Sequence, residues 1–360
     1  MYDSSPYNPS FGSEPGAYIH REDVENKILN KFCEEKTGPR SYMIMGARGS
    51  GKTVLMHHMA NRFETFDDWV VVRMNPNVNM LDSCMRKLYG HKKASPIIKA
   101  AKINLNLFSL TLEMPTPQVA DVEEAIAEIL KELKKNEMRL LIVIDEATNT
   151  PSMKAFVSAY QNLIGQKLPA YMLMTGLYEK INSLREEDNL TFLYRMPRIY
   201  LEPLNIGEIE MNYKEVFDLK DSEAGRMAAI TKGYSYAFQL LGDLTWENDG
   251  DYTAVLEEYR AQLYEVVYSK LWRETTPVDR DVLYCIASSE DGKVKTIREM
   301  LGRESNEFSP YSDRLKKKGV ADGNRRGYLE LALPFFKGYV LDHYNGYYRT
   351  RPVEDLPEGL

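Results

Sequence analysis

From residue 40 onward, short apolar runs alternate with amphipathic stretches. The runs 41–45, 70–74, 140–144, 171–174 and 199–201 are rich in β-branched and other large apolar side chains, so they predict strands. Between them, 52–63, 122–135 and 153–164 carry helical spacing, and 23–32 predicts a further helix ahead of the first strand. In 122–135, Ile126, Ile129, Leu130 and Leu133 form one stripe with charges opposite. Strand–helix alternation of this kind predicts an α/β fold, a parallel sheet covered by helices. The segment 102–113 instead alternates with a period of two, placing Ile103, Leu105 and Leu107 on one face. It predicts a long strand or small hairpin inserted before the third core strand, as a sheet extension or a partner surface. Past Ile206 the strand pattern stops and helices are predicted, among them 235–246 and 252–271. Between Val278 and Tyr344 three short helical patterns precede a hairpin around Asp322–Gly327. The layout expected is a flexible tail over 1–17, a sheet core over 18–204, a helical region over 205–272, a small C-terminal domain over 273–346 and a second tail over 347–360.

Composition narrows the classes. No apolar run approaches the roughly 18 to 20 residues that span a bilayer, and the polar start rich in Ser, Pro and Gly is unlike a signal peptide. Cys33, Cys84 and Cys285 lie far apart without metal-ligand spacing, and the five histidines show no ligand cluster either. Reduced, space-filling thiols in a cytoplasmic protein are therefore expected. A formal net charge of −7 argues against a surface that coats nucleic acid as a whole, while leaving room for a local basic patch.

Gly46, Ala47, Arg48, Gly49, Ser50, Gly51, Lys52 and Thr53 fit G-x-x-x-x-G-K-[ST], directly after one predicted strand and before one predicted helix. Such a loop turns successive backbone N–H groups toward phosphate oxygens, and the helix N-terminus adds partial positive charge. Lys52 is expected at the β- and γ-phosphates and Thr53 on Mg²⁺, with Val54 the next residue of the binding set. A second motif agrees: the continuous apolar run 140–144, as a strand buried on both faces requires, ends in Asp145 and Glu146. Carboxylates at the carboxyl end of a central strand lie where open α/β sheets bind ligands. Asp145 is expected to hold Mg²⁺ and Glu146 to orient or deprotonate the attacking water.

These motifs, with IVIDEA over 142–147, resemble the bacterial and archaeal AAA+ ATPases of the origin-recognition type, often grouped with the STAND regulators. The resemblance runs from about residue 11 to 344. It implies an AAA+ P-loop core, a helical lid and a C-terminal winged helix, with ATP as the nucleotide. It also implies several roles. Arg21, in Tyr18-Ile19-His20-Arg21-Glu22-Asp23, matches the adenine-pocket motif, although His20 replaces the usual Gly. Thr175, at the end of the fourth core strand, matches a sensor residue for the γ-phosphate or the lytic water; a plain strand cap is the alternative. Arg195 matches an arginine finger reaching a neighbouring subunit, with Arg198 as the second candidate and a surface ion pair as the alternative; a finger would make the active form a homo-oligomer. Gly233-Tyr234-Ser235-Tyr236 resembles the Gly-x-Pro start of a lid helix. Ser235 stands in place of Pro, and no arginine follows in the next turn.

In the winged-helix region, Ser309-Pro310 predicts the start of a helix running to Lys318, and Gly319 ends it. Arg314, Lys316, Lys317, Lys318, Arg325 and Arg326 are candidate contacts to DNA phosphates. The opposing fact is a near-even balance, twelve basic against eleven acidic side chains between Val278 and Asn345. Two functions follow. One is an ATPase whose nucleotide state controls assembly with DNA. The other is a STAND-like switch with little turnover that signals through protein contacts; Glu146 favours the first and the missing lid arginine the second.

Overall fold

The computed structural model describes residues 3–10, 14–34, 38–101, 103, 119–185, 190 and 192–348. The chain divides into two compact units. One comprises His20–Met45 and Lys52–Leu201, the other Met1–Ile19, Gly46–Gly51 and Glu202–Leu360.

The first unit is a five-stranded, all-parallel sheet flanked by helices. In chain order it contains α1 (Glu22–Glu34), β1 (Ser41–Met45), α2 (Lys52–Glu64), β2 (Trp69–Met74), α3 (Met80–Gly90), α4 (Ala94–Ala100), α5 (Val119–Lys135) and β3 (Arg139–Ile144). These are followed by α6 (Pro151–Gly165), β4 (Ala170–Gly176), α7 (Tyr178–Arg185), α8 (Phe192–Arg195) and β5 (Arg198–Tyr200). The strand order is β2-β3-β4-β1-β5, so every core connection is a crossover covered by helix. Buried side chains fill both faces. Met43, Val70, Val72, Ile142 and Met172 pack on one side with α3, α5 and α6, while Tyr42, Ile44, Val71, Leu141 and Leu173 pack on the other with α1 and α2. This two-sided burial is why the strands read as unbroken apolar runs. The period-two segment 102–113 lies outside the described residues except for Ile103, which packs against the first of these cores.

The second unit is mostly helical. It holds α9 (Ile206–Phe217), α10 (Asp221–Thr231), α11 (Ser235–Glu247), α12 (Leu256–Gln262), α13 (Ser269–Glu274), α14 (Pro277–Ser288), α15 (Val294–Leu301) and α16 (Ser305–Lys317). A two-stranded ribbon, β6 (Ala321–Asp322) and β7 (Glu330–Leu331), and α17 (Phe336–Tyr348) complete it. Between α12 and α13 the backbone is π-helical over Leu263–Tyr268, so the expected single helix over 252–271 is three joined pieces.

Two expectations change. Residues 3–10 and 14–19 are not a loose tail. Tyr7 is 3% exposed, meets Phe238 edge-on at 5.5 Å and donates from Oη to Asn212 Oδ1 at 2.8 Å. Gly242 makes room for it, since a Cβ there would stand 2.5 Å from the ring. The helix expected to start at Ser309 begins four residues earlier, with Pro310 inside it. Proline removes one intrahelical bond, and in this helix the Ser309 hydroxyl bonds back to Ser305 O at 2.7 Å.

Candidate nucleotide site

At the carboxyl end of the sheet, β3 and β4 run side by side with Ile144 opposite Met174, which brings the next residues, Asp145 and Thr175, together. Thr175 is 1% exposed, and its hydroxyl donates to Asp145 Oδ1. Thr53, the second residue of α2, donates from Oγ1 to Asp145 Oδ2 at 2.9 Å. The Glu146 N–H reaches Asp145 Oδ1 at 2.9 Å and Thr175 Oγ1 at 3.1 Å. The Asp145 carboxylate is thus held by two hydroxyls and an amide, all donors, as an ionised carboxylate needs. Glu146 adopts φ +50°, the left-handed region that a non-glycine residue enters at a cost, and its side chain is exposed. The sheet unit therefore joins three sequence-predicted residues, Thr53, Asp145 and Thr175, in one hydrogen-bonded cluster, with Glu146 on its rim.

In the helical unit, the loop Gly46–Gly51 lies against the start of α11. The Tyr234 hydroxyl donates to Arg48 O, the Tyr236 N–H to Gly49 O at 3.0 Å, and Ser235 Oγ to Ser50 O at 3.0 Å. Across a trans peptide the C=O of one residue and the N–H of the next point in opposite directions. The amides of Gly49, Ser50 and Gly51 are therefore turned away from α11; that of Ser50 closes a turn onto Ala47 O at 3.2 Å. Gly49 needs its missing side chain twice over, for φ +74° and because a Cβ would lie 2.2 Å from the Tyr234 hydroxyl. Burial raises the Tyr234 phenol well above its ordinary range, so it stays a donor. Arg48 is anchored to Glu274 at 3.0 Å. The Ser235 that replaces the expected proline thus supplies a bond proline lacks. From sequence, Tyr234 and Tyr236 stand only in the lid-helix start; Tyr236 bonds through its main chain, and the partner of the Tyr234 hydroxyl is a backbone carbonyl 186 residues away.

The remaining expected residues are more scattered. Lys52 and Val54 occupy the first turn of α2, half-buried. The Arg21 N–H donates to Glu25 Oε1 at 3.0 Å. Arg195 ends α8 and Arg198 opens β5, both exposed.

The basic residues proposed for phosphate contact divide. Arg314 is taken up internally, bound through Nε at 2.9 Å and through Nη2 to Asp279 Oδ1, while Lys318 holds Oδ2 at 3.0 Å. Asp279 is fully buried and also closes the Thr276 capping box of α14, which explains why it draws two cations. Burial alone would raise its carboxyl, but Arg314 and Lys318 outweigh that and hold it below the usual range. Arg314 thus ties α14 to α16. Lys316 pairs with Asp313 at 2.7 Å, the Arg325 guanidinium lies 3.6 Å from the Tyr328 ring centre, and Lys317 and Arg326 are exposed. Burial pushes the Cys84 and Cys285 thiols up to about 12, as suits packing residues.

Comparison with known proteins bears on the fold. Residues 20–187 match the profile of an ATPase domain predominantly from Archaea, and 265–340 match a domain of unknown function. No curated protein sequence is matched. Among solved structures, the chain is similar to the Walker-type ATPase paby2304 of Pyrococcus abyssi (TM-score 0.60, 14% identity, covering 90% of this chain and 96% of that one). It is also similar to the ORC2 protein of Aeropyrum pernix, solved in ADPNP-ADP complexes (TM-score 0.57, 14% identity, covering 95% and 98%). At these identities the likeness speaks for the fold. Among the described residues no helix is long and apolar enough to cross a membrane. With an ATPase-domain match on the sheet unit, over residues 20–187, and these likenesses over nearly its whole length, the chain has the fold of these Walker-type and origin-recognition ATPases.

Proposed function

We propose that the chain binds Mg·ATP through residues 46–53 and hydrolyses it, and that its nucleotide state controls assembly with DNA. The observation that carries the reading is the Thr53–Asp145–Thr175 cluster with Glu146 on its rim. Hydroxyl and carboxylate oxygens are the hard donors that Mg²⁺ takes, and Thr53 and Asp145 would hold it. When bound, Mg·ATP supplies the γ-phosphoryl group and a cation that neutralises its charge. Lys52 would meet the β- and γ-phosphates. Glu146 would orient the attacking water and accept its proton. Thr175 acts through Asp145, fixing the carboxylate that faces Thr53. Arg21 is the proposed adenine-side residue, and Arg195 the proposed finger toward a second copy of the chain.

We further read α14 to α17 and the β6–β7 ribbon as a winged helix. With Arg314 engaged by Asp279, Lys316, Lys317, Arg325 and Arg326 remain as its DNA-facing candidates. The bonds from Tyr234, Ser235 and Tyr236 to the phosphate loop favour a second reading, a slow switch whose loop is held by α11 and whose partner is a protein. Phosphate release from Mg·ATP, measured with and without duplex DNA, separates the two. The first reading expects DNA to stimulate turnover, and neutralising Lys317, Arg325 and Arg326 to weaken a salt-sensitive complex. Turnover indifferent to DNA, with no complex at low salt, would favour the switch.

A further inference from the structure

His20, Glu25 and His58 converge in the sheet unit and have no part in the chemistry above. His20 precedes α1, Glu25 lies in its first turn, and His58 sits midway along α2. Glu25 Oε2 stands 3.2 Å from His20 Nδ1 and 3.4 Å from His58 Nε2, and the three donor atoms lie within 4.8 Å of one another. The imidazole rings are 5.1 Å apart and inclined at 75°, so they approach the carboxylate from different directions. A tetrahedral Zn²⁺ with ligand bonds of roughly 2.0–2.1 Å has edges of about 3.3 Å between ligand atoms. Two of the three edges already have that length.

The surroundings suit a ligand set. Glu25 is 3% exposed, and its other oxygen, Oε1, accepts the Arg21 N–H at 3.0 Å, the kind of outer hydrogen bond that orients a metal-binding carboxylate. Burial alone would raise the Glu25 carboxyl, but the Arg21 amide and the two imidazoles outweigh it and hold it below its usual range. Arg62 Nη1 lies 4.0 Å from Oε2, at the limit of an ion pair. Its side chain is 45% exposed and can turn to water. His20, at 54% exposed, leaves the cluster open to solvent on one side.

We propose that His20, Glu25 and His58 form a binding site for one divalent transition-metal ion of the Zn²⁺ class, with water completing a tetrahedron. Two imidazole nitrogens and one carboxylate favour such an ion over Mg²⁺, which prefers oxygen ligands. The site joins the segment leading into α1 to α2, the helix that begins with Lys52 and Thr53, so a bound ion stabilises that pairing by mass action.

The test uses the untagged full chain, stripped with a chelator and titrated with Co²⁺ as a visible probe. One Co²⁺ per chain with the absorption of tetrahedral nitrogen and oxygen ligation is expected, displaced by Zn²⁺. His20→Ala, at an exposed position where the fold should persist, is expected to weaken binding by on the order of tenfold or more. Glu25→Gln should weaken it further, Arg62→Ala should leave it intact or tighter, and Thr53→Ala should leave the Co²⁺ spectrum unchanged. A parent chain without the tetrahedral spectrum, or His20→Ala binding Co²⁺ as tightly as the parent, would overturn the proposal.

Discussion

At the residue scale, Glu146 is the informative position. Its φ is +50°, its own N–H is drawn between Asp145 Oδ1 and Thr175 Oγ1, and Ala147 N–H bonds Thr175 O at 2.8 Å. A left-handed conformation costs a non-glycine residue about 1 kcal/mol or somewhat more. Glu146→Gly is therefore expected to raise stability by about 1 kcal/mol in denaturant unfolding while removing turnover, a trade of stability for function. Unchanged or lowered stability would show that the backbone is not strained there. Sequence reasoning singled out Thr53, Asp145 and Glu146 through local spacing, and the structure brings them together in one cluster. That reasoning read Tyr234 only as part of the lid-helix start, because a tyrosine hydroxyl that binds a distant carbonyl has no local signature.

At the element scale, Asp279 ties α14 to α16 and caps α14 as well. Asp279→Asn would strand Arg314 and Lys318 beside a neutral amide, and removing one partner of a buried ion pair costs about 3 kcal/mol. Because the carboxyl is held below its unfolded range, its contribution is fully present above about pH 4 and fades as pH falls through the lower folded value. The gap between parent and Asp279→Asn is expected to be constant near neutrality and to close in acid; a gap that widens in acid would contradict the pairing. The strands were legible almost to the residue because burial on both faces leaves no polar break in them. Other features were set by packing rather than by pattern. The π-helical Leu263–Tyr268 has the same apolar spacing as an α-helix, Pro310 resembled a first-turn residue, and Tyr7 sits in a polar stretch whose partners lie 200 residues on.

For the whole molecule, the net charge of −7 gives no general attraction to nucleic acid, and Arg314 is already paired with Asp279. The nucleotide chemistry therefore carries more of the account than the DNA chemistry does. In the proposed mechanism Glu146 acts on water while Lys52, Thr53 and Asp145 serve binding. The most direct test compares the parent with Glu146→Gln, measuring nucleotide affinity and steady-state phosphate release from Mg·ATP side by side. The expected result is ATP affinity within a few-fold of the parent and a loss of turnover of about a hundredfold or more, the range for removing a positioned general base. Equal phosphate release from the two proteins would contradict the account at its centre.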